Sequence, residues 1–440
     1  MSGNILDKRS NQTSLLLFVY ILFLFIRAPN IFTQGRFWAE EGYIFYANAY
    51  NMSPLNALFV VFGGYINLGA SGATLIARYL YIPLEFAPYF TIFVGLVVQI
   101  TPIYLLLTAR DEWLSPFYVR LLATLLLLFV PESSEISLQS LHLQFHLALA
   151  CTIIAFLKTD IKNKRYFKLF LLFFAPLCGL LPVVLIPVFV VKSWLEKENL
   201  RNEQTIALVL GSSIQLSFYL FNLVHKIDID NFAIVRQRHF SYNDFCSVLY
   251  VRDIIFPFLG HRYHVSIGIM ANIFHKVEAH QISIKACLIS SFFIIFISSI
   301  FIKYSKTRKG LLFFITAILM VCISIYGVVG GTIQLVNPYF TERYAFLSQA
   351  LFALMLLYFS VTLPRAGKIV ANATIIWVLI VGSFNFFQLL PEAKDGAGHV
   401  WRQELEKWRN DPEYHPKIWS SGWYMVIPKQ LSTHTAPKNN

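Results

Sequence analysis

Long apolar runs separated by short polar connections are the main feature of the chain. The first run, 15–26, follows two basic residues, and further runs lie at about 89–107, 113–131, 141–157, 167–191, 204–224, 284–302, 310–330, 345–363 and 369–390. A helix of about 20 apolar residues can cross the hydrocarbon core of a bilayer. The pattern therefore predicts an all-α polytopic membrane protein with about nine transmembrane helices.

The run 167–191 differs from the others because basic residues lie on both sides of it. A Pro-Leu-Cys-Gly-Leu-Leu-Pro stretch at 176–182 interrupts its middle. Proline and glycine at this point favour two half-helices over one continuous helix. We predict a re-entrant hairpin that enters and leaves the membrane on the cytoplasmic side, and a single kinked span is the alternative.

Basic residues in the short connections predict the orientation. Cytoplasmic loops of membrane proteins are enriched in Lys and Arg. The connections near 110–120, 158–168, 192–201, 303–309 and 365–368 carry these residues, whereas 132–140 and 331–344 carry only Arg343. We therefore expect a cytoplasmic N-terminus, a transmembrane domain over 1–390 with external loops 27–88 and 225–283, and an external C-terminal tail over 391–440. Within 27–88 we expect interfacial helices that lie on the membrane.

The composition excludes a water-soluble globule. Of the 440 residues, 56% are hydrophobic and 14% are charged, whereas roughly a quarter of the residues of a soluble domain are charged. The formal net charge of +12 would suggest nucleic acid in a soluble protein, but here the basic residues flank apolar runs and determine topology. The five cysteines are not closely paired. We therefore expect no disulfide framework and no metal site. We also expect no cofactor, and no nucleic-acid partner because no nucleic-acid motif is present.

Two adjacent carboxylates, Glu40 and Glu41, follow the first predicted span, among aromatic residues that include Trp38. Partial desolvation near the membrane would raise the pKa of a carboxylate and make it a better proton acceptor. The pair is therefore a candidate general base close to a lipid-linked substrate. A solvated acidic turn beside an aromatic belt is the alternative interpretation.

Arginines in two external segments are candidate phosphate ligands, because a guanidinium group can bind phosphate oxygens bidentately. The loop 225–283 carries Arg236, Arg238 and Arg262, and the short connection before the run 345–363 carries Arg343. For the loop, the alternative is general attraction to anionic lipid. For Arg343, the alternative is an ordinary ion pair with Glu342.

Histidines and tryptophans on the external side supply further candidates. His142 and His146 share one helix face, a spacing compatible with metal ligation. Without an evident third ligand, hydrogen bonding to substrate or to a neighbouring helix is favoured over zinc. The tail holds four of the eight tryptophans. Of these, Trp423 is a candidate for stacking on sugar rings, and a small domain core is the alternative for at least two of the four.

Three short motifs together resemble bacterial polytopic glycosyltransferases with the GT-C architecture. They are Phe37-Trp38-Ala39-Glu40-Glu41-Gly42 after the first span, Arg343-Tyr344 at the start of a late span, and Ser421-Gly422-Trp423-Tyr424-Met425 in the tail. Within that class the chain looks most like the phage-type serotype-converting glucosyltransferases that modify O-antigen. In the related sequences we expect Glu-Asp at the position of the Glu-Glu pair.

The resemblance implies a GT-C-like fold and a specific reaction. A sugar, with glucose as the first expectation, would pass with inversion from a polyprenyl-phosphate donor to lipid-linked O-antigen or another surface polysaccharide. The reaction would take place on the periplasmic face of a bacterial inner membrane. Glu40 or Glu41 would be the base, with Glu40 preferred because it matches the position expected to be Glu in the related sequences. Arg343, with Arg236, Arg238 or Arg262, would stabilise the departing lipid phosphate. The two histidines and the tryptophans Trp38 and Trp423 would position substrate.

Two other kinds of protein share this membrane setting. A flippase or exporter of lipid-linked sugars is expected to show a continuous polar path through the bilayer, which the apolar runs lack. An O-antigen polymerase or acyltransferase is a second alternative, which would not share the early acidic pair.

Overall fold

The computed structural model describes residues 2–158, 164–225, 240–260, 263–328, 331–337, 341–388, 400–411, 413–420 and 422–427, with side chains from residue 9 onward. In these residues the α-helices are α1 Ser2–Arg27, α2 Pro29–Gln34, α3 Ala47–Asn51, α4 Pro54–Leu58, α5 Leu68–Tyr79, α6 Ala87–Thr108, α7 Phe117–Leu128, α8 Leu143–Phe156, α9 Arg165–Leu177, α10 Ile186–Glu196, α11 Asn199–His225, α12 Tyr242–Val248, α13 Phe256–Leu259, α14 His264–Glu278, α15 Ile284–Lys303, α16 Leu311–Gly327, α17 Thr332–Leu335, α18 Glu342–Thr362, α19 Arg365–Phe387 and α20 Trp401–Asn410.

Shorter elements connect these helices. The 3₁₀ turns are Glu112–Leu114, Pro182–Leu185 and Ser305–Gly310, and the π-helical segments are Glu41–Tyr46 and Leu249–Ile255. A small antiparallel hairpin pairs β1 Val61–Phe62 with β2 Tyr65–Ile66, with Val61 opposite Ile66. Apart from this hairpin, the described residues confirm the prediction of a helical fold.

Seven described helical segments are long and apolar enough to cross a membrane, as expected for a polytopic membrane protein: Arg9–Arg27, α6, α11, α15, Ser305–Gly327, α18 and α19. The predicted spans 113–131 and 141–157 correspond to α7 and α8, which contain 12 and 14 residues. At 1.5 Å per residue these helices are about 18 and 21 Å long, less than the ~30 Å thickness of the hydrocarbon core. The chain between them, 129–142, is almost entirely buried and mostly not helical.

The segment that contains α9 and α10 forms a hairpin against α11. Arg165 at the start of α9 pairs with Glu203 (2.5 Å), and Arg201 pairs with Glu196 at the end of α10 (2.8 Å). Both ends of the segment therefore lie at the N-terminal end of α11. Gly179 (φ 155°) and the following 3₁₀ turn lie between the two helices and reverse the chain. The pattern of 167–191 predicts this reversal of the chain, and the entry and exit of the hairpin on the cytoplasmic side of a membrane stay a prediction.

Basic connections gather at one end of the helix bundle. Asp111 accepts a hydrogen bond from the main-chain N–H of Lys158 (3.2 Å), and its carboxylate is near the charges of Lys168 and Lys309. Lys309 is also near Lys192. Asp111 and these four lysines come from four connections that the sequence assigns to the cytoplasmic side, since Lys158 and Lys168 share one of them. We call this the basic end of the bundle.

At the opposite end, the chain between α2 and α6 packs against the tail. Their shared apolar core includes Phe37, Tyr46, Trp401 and Trp408. The main chains are also joined, because the N–H of Trp419 donates to the carbonyl of Phe37 (3.1 Å). Three of the four tail tryptophans, Trp401, Trp408 and Trp419, are buried. This agrees with the interpretation that at least two of the four form a small domain core.

Candidate functional site

The acidic pair lies in a tight turn that leads into the π-helix Glu41–Tyr46. Gly35 (φ 68°) and Ala39 (φ 41°) adopt left-handed backbone conformations on this path. Glu40 is the N-cap of the π-helix, and the N–H of Glu41 donates to the carbonyl of Trp38 (2.8 Å). Within this turn the two adjacent carboxylates have different surroundings.

Glu41 is buried, with 1% of its surface exposed. Its Oε2 accepts a hydrogen bond from the N–H of Trp38 (3.1 Å), and its Oε1 accepts from both the N–H (2.7 Å) and the hydroxyl (2.6 Å) of Ser140. Burial raises the pKa of Glu41, and the donors from Ser140 and Trp38 oppose that shift. Glu41 therefore holds the turn against the segment 129–142 and has little room for a substrate.

Glu40 is partly exposed, and no other described residue donates a hydrogen bond to its carboxylate. Burial raises its pKa above the ordinary value for glutamate. Its own N–H and the positive charge of Arg343 act in the opposite direction, and the negative charge of Glu135 adds to the increase. Glu40 therefore combines access with increased basicity, as a general base requires.

Arg343, in the first turn of α18, is held by Glu135 from the segment 129–142. The N–H of Arg343 donates to Oε2 of Glu135 (3.0 Å), and the guanidinium forms an ion pair with Oε1. Burial raises the pKa of Glu135, but the charge of Arg343, its two hydrogen bonds and the nearby His142 together lower the pKa below its usual range. The side chain of Arg343 is 28% exposed, and its charge acts on the carboxylate of Glu40.

Glu135 was not among the residues that the sequence identified. It is 208 residues from Arg343 along the chain, and the sequence offers only the nearer Glu342 as a partner. The one available signal was an acidic residue within a short connection that carries no basic residue.

The two histidines bind the main chain of the segment 129–142. The ring Nδ1 of His142 donates to the carbonyl of Glu135 (3.1 Å), and Nε2 of His146 donates to the carbonyl of Ile136 (3.3 Å). Burial, together with the positive charge of Arg343, lowers the pKa of His142 to about 4. The sequence left metal ligation and hydrogen bonding as possible roles for this pair, and the described contacts are hydrogen bonds to a neighbouring segment. These hydrogen bonds hold the segment that carries Glu135.

A buried ionic network lies next to this group. Arg252 pairs with Glu132 and donates to the carbonyl of Asn337 (2.9 Å). Gln349 on α18 donates to Glu132 (2.8 Å) and to the carbonyl of Arg252 (2.7 Å). Arg252 belongs to the cationic loop 225–283, yet only 1% of its surface is exposed. It therefore links the segments around Glu132 and Asn337 to α18.

An apolar cavity of about 660 Å³ lies between α15, α18 and α19. Phe, Leu, Ile and Val side chains form most of its wall. Pro131 and Gln349 line one end, and Lys303 and Tyr304 line the other. Because Pro131 precedes Glu132 and Gln349 binds it, the first end adjoins the ionic network.

The remaining predicted residues have different locations. Arg236, Arg238 and Arg262 lie outside the described residues. Trp38 is buried, with its ring 4.8 Å from the guanidinium carbon of Arg36. Trp423 is half-buried in the tail. In the part of the chain that the structure describes, no group of three or more His, Cys, Asp or Glu side chains could hold a metal ion.

Glu40, Glu135, His142 and Arg343 thus form one cluster at the end of the bundle opposite the basic end. We call it the acidic–arginine site. Searches with this chain against protein-family models, curated proteins and solved structures found no match.

Proposed function

We propose that this protein is a membrane glycosyltransferase that transfers a sugar from a polyprenyl-phosphate donor to a lipid-linked polysaccharide. The observation that carries the proposal is the accessible carboxylate of Glu40 beside the guanidinium of Arg343. Sugar transfer from a lipid phosphate needs a base and a cation in this arrangement, because a proton is removed while a phosphate leaves.

The proposed reaction is one inverting displacement at the anomeric carbon of the donor sugar. Glu40 accepts the proton of an acceptor hydroxyl, whose oxygen forms the new glycosidic bond. The bond between the anomeric carbon and the phosphate oxygen breaks, and its electron pair stays on the polyprenyl phosphate. Arg343 stabilises that charge. Glu135 holds Arg343 through an ion pair, and His142 holds the main chain of Glu135 through a hydrogen bond.

The apolar cavity supports a lipid-linked donor. Its wall suits an isoprenoid chain, since burying apolar surface stabilises it by about 25 cal/mol per Å². The cavity ends beside Glu132, three residues before Glu135, so a chain held there would have its phosphate near the acidic–arginine site. We assign the cavity to the polyprenyl chain.

The distribution of charge supports an orientation. Lysines from three connections lie at the basic end, and such residues favour the cytoplasmic side. The acidic–arginine site then faces the periplasm of a bacterial inner membrane, with the N-terminus in the cytoplasm and the tail outside. In that location the donor can be a lipid phosphate but not a cytoplasmic nucleotide sugar.

Sugar transfer by a Glu40→Gln variant tests the proposal. Membranes with matched protein levels receive a polyprenyl-phosphate glucose donor and the lipid-linked polysaccharide of the host, and transferred sugar is measured by mass spectrometry. Deleting the base should lower the rate by about 10²–10⁴. Glu112→Gln is the control, because Glu112 is 91% exposed and lies at the basic end. Parental transfer by Glu40→Gln would reject the mechanism and favour the flippase or exporter.

A further inference from the structure

The described part of the tail ends in a short turn that presents aromatic side chains. The N–H of Met425 donates to the carbonyl of Pro416 (2.8 Å), and the N–H of Ile418 donates to the carbonyl of Trp423 (3.1 Å). Met425 and Ile418 belong to the buried core that the tail shares with residues near Phe37. The buried side chains of Ile418 and Met425 hold the turn in place, and the turn positions Trp423 and Tyr424.

Four aromatic side chains, from this turn, the residues just before it and the π-helix, pack against one another. The ring centroid of Tyr43 is 5.7 Å from those of Trp423 and Tyr424, in edge-to-face arrangements. The ring of His415 stacks on Tyr424 at 5.3 Å. Tyr424 is 42% exposed, His415 is exposed, and the other two are half-buried. We call these four residues the aromatic platform.

The aromatic platform is connected directly to the proposed base. Tyr43 lies three residues after Glu40, within the π-helix whose N-cap is Glu40. The tail is fixed to the same turn, because the N–H of Trp419 donates to the carbonyl of Phe37 (3.1 Å). A ligand that covers the aromatic platform therefore lies beside the acidic–arginine site.

The surroundings of the aromatic platform favour a ligand from water over the lipid chains of the membrane. Glu413 and Lys417, which flank His415 in the sequence, are both exposed. Charged side chains in this position would be costly to bury in hydrocarbon. Aromatic rings that are exposed to water and bordered by polar groups suit a ligand with an apolar face and hydroxylated edges, and a pyranose ring has both.

We propose that the aromatic platform binds the saccharide acceptor, with the C–H face of a pyranose ring packed on Tyr424 and Trp423. The tyrosine hydroxyls and the His415 ring supply hydrogen-bonding groups for sugar hydroxyls. This inference rests on the proposed function and adds the location of its acceptor. It also gives the external tail a role, since the tail and the π-helix build the acceptor site together.

Equilibrium binding of a saccharide to the full-length protein in detergent tests the inference. The probe is a set of oligosaccharides of two to four repeat units, released from the surface polysaccharide of a host strain that lacks this gene. Tyr424→Ala should weaken binding about fivefold, and Tyr424→Phe, which keeps the ring, should stay near the parental value. Tyr81→Ala is the matched control, because Tyr81 is 89% exposed in the same external region but lies outside the aromatic platform.

A second variant and a kinetic measurement complete the test. His415→Ala removes another ring of the platform at an exposed position and should also weaken binding. In the transfer assay, Tyr424→Ala should raise the acceptor KM more than it lowers kcat, with the donor KM unchanged. Equal affinity of Tyr424→Ala, His415→Ala and Tyr81→Ala for the oligosaccharides would overturn the inference.

The same experiments separate this inference from the proposed function. Glu40→Gln should bind the oligosaccharides normally while losing transfer. Loss of transfer in Glu40→Gln together with parental binding by Tyr424→Ala would reject the aromatic platform and keep the glycosyltransferase. Parental transfer by Glu40→Gln together with weak binding by Tyr424→Ala would reject the catalytic mechanism and keep the saccharide site.

Discussion

Neighbouring residues of the same type have different environments in this protein. Glu40 and Glu41 are adjacent glutamates, yet Glu41 is enclosed by three hydrogen bonds and Glu40 is partly exposed beside Arg343. The sequence could identify the pair as a candidate base, but only the resemblance to related sequences favoured Glu40, and the local pattern could not separate the two residues. The difference depends on Ser140, which lies 99 positions from Glu41 along the chain.

Replacing each glutamate by glutamine should therefore affect stability differently. Glu41→Gln exchanges an acceptor oxygen for an NH₂ group and leaves a buried donor without a partner, which should lower the free energy of unfolding by about 1–3 kcal/mol. Glu40→Gln removes no hydrogen bond from another described residue and should unfold at the parental temperature. Thermal unfolding in detergent measures both. A larger loss for Glu40→Gln than for Glu41→Gln would contradict these assignments.

The pH dependence of transfer should report the charge of Arg343. A base acts when ionised, so activity falls as the pH drops through the pKa of Glu40. Because Arg343 lowers that pKa, Arg343→Gln should raise it and shift the acid limb of the kcat/KM profile to higher pH. Arg343→Lys keeps the charge and should leave the limb nearly unmoved, even though it loses the planar fork that binds phosphate.

A matched arginine elsewhere controls for general effects of losing an ion pair. Arg409 on α20 pairs with Glu85, and the exposure of its side chain, 31%, is close to the 28% of Arg343. Arg409→Gln should keep the parental pH profile. An unshifted profile for Arg343→Gln would mean that Arg343 does not act on the base.

At the scale of elements, apolar runs predicted helices well where the whole run forms one helix. They predicted helices less well where part of the run is a buried loop. The predicted span 113–131 ends as a helix at Leu128, and the apolar residues after it are buried without forming a helix. Hydropathy reports burial but not backbone conformation, so it could not separate these cases. The hairpin of α9 and α10 was predictable, because proline, glycine and flanking charges are local signals.

The network of Arg252 and Glu132 should be the main polar link between α18 and the segments around Glu132 and Asn337. Replacing Arg252 by Met leaves a buried, unpaired carboxylate and should lower the free energy of unfolding by about 3–5 kcal/mol. Changing both residues, with Glu132→Leu added, should recover much of that loss. Unfolding temperatures of the three proteins test this coupling.

An exposed ion pair provides the comparison for this network. Lys158 and Glu112 lie 3.1 Å apart with side chains that are 54% and 91% exposed. Lys158→Met should change stability by only about 0–1 kcal/mol. If Arg252→Met were no more destabilising than Lys158→Met, the buried pair would not carry the proposed link.

At the scale of the whole molecule, charge divides the protein into two ends. The sequence predicted which connections are basic, and the helices bring four of them together at one end. The acidic–arginine site at the other end depends on contacts between residues about 100 to 200 positions apart, such as Glu41 with Ser140 and Arg343 with Glu135. Such pairings could not be derived from one sequence, because local patterns do not specify which distant segments meet.

Cysteine labelling should reveal the orientation of the two ends. Lys158 and Glu198 flank the hairpin, and Glu406 lies on α20, and all three are exposed. In a background without the five native cysteines, Lys158→Cys and Glu198→Cys should react with an impermeant maleimide only after the membrane is opened, whereas Glu406→Cys should react in intact spheroplasts. Labelling of Lys158→Cys and Glu198→Cys from opposite sides would remove the hairpin. Labelling of Glu406→Cys only after the membrane is opened would place the acidic–arginine site in the cytoplasm, where a lipid-phosphate donor loses its advantage over a nucleotide sugar.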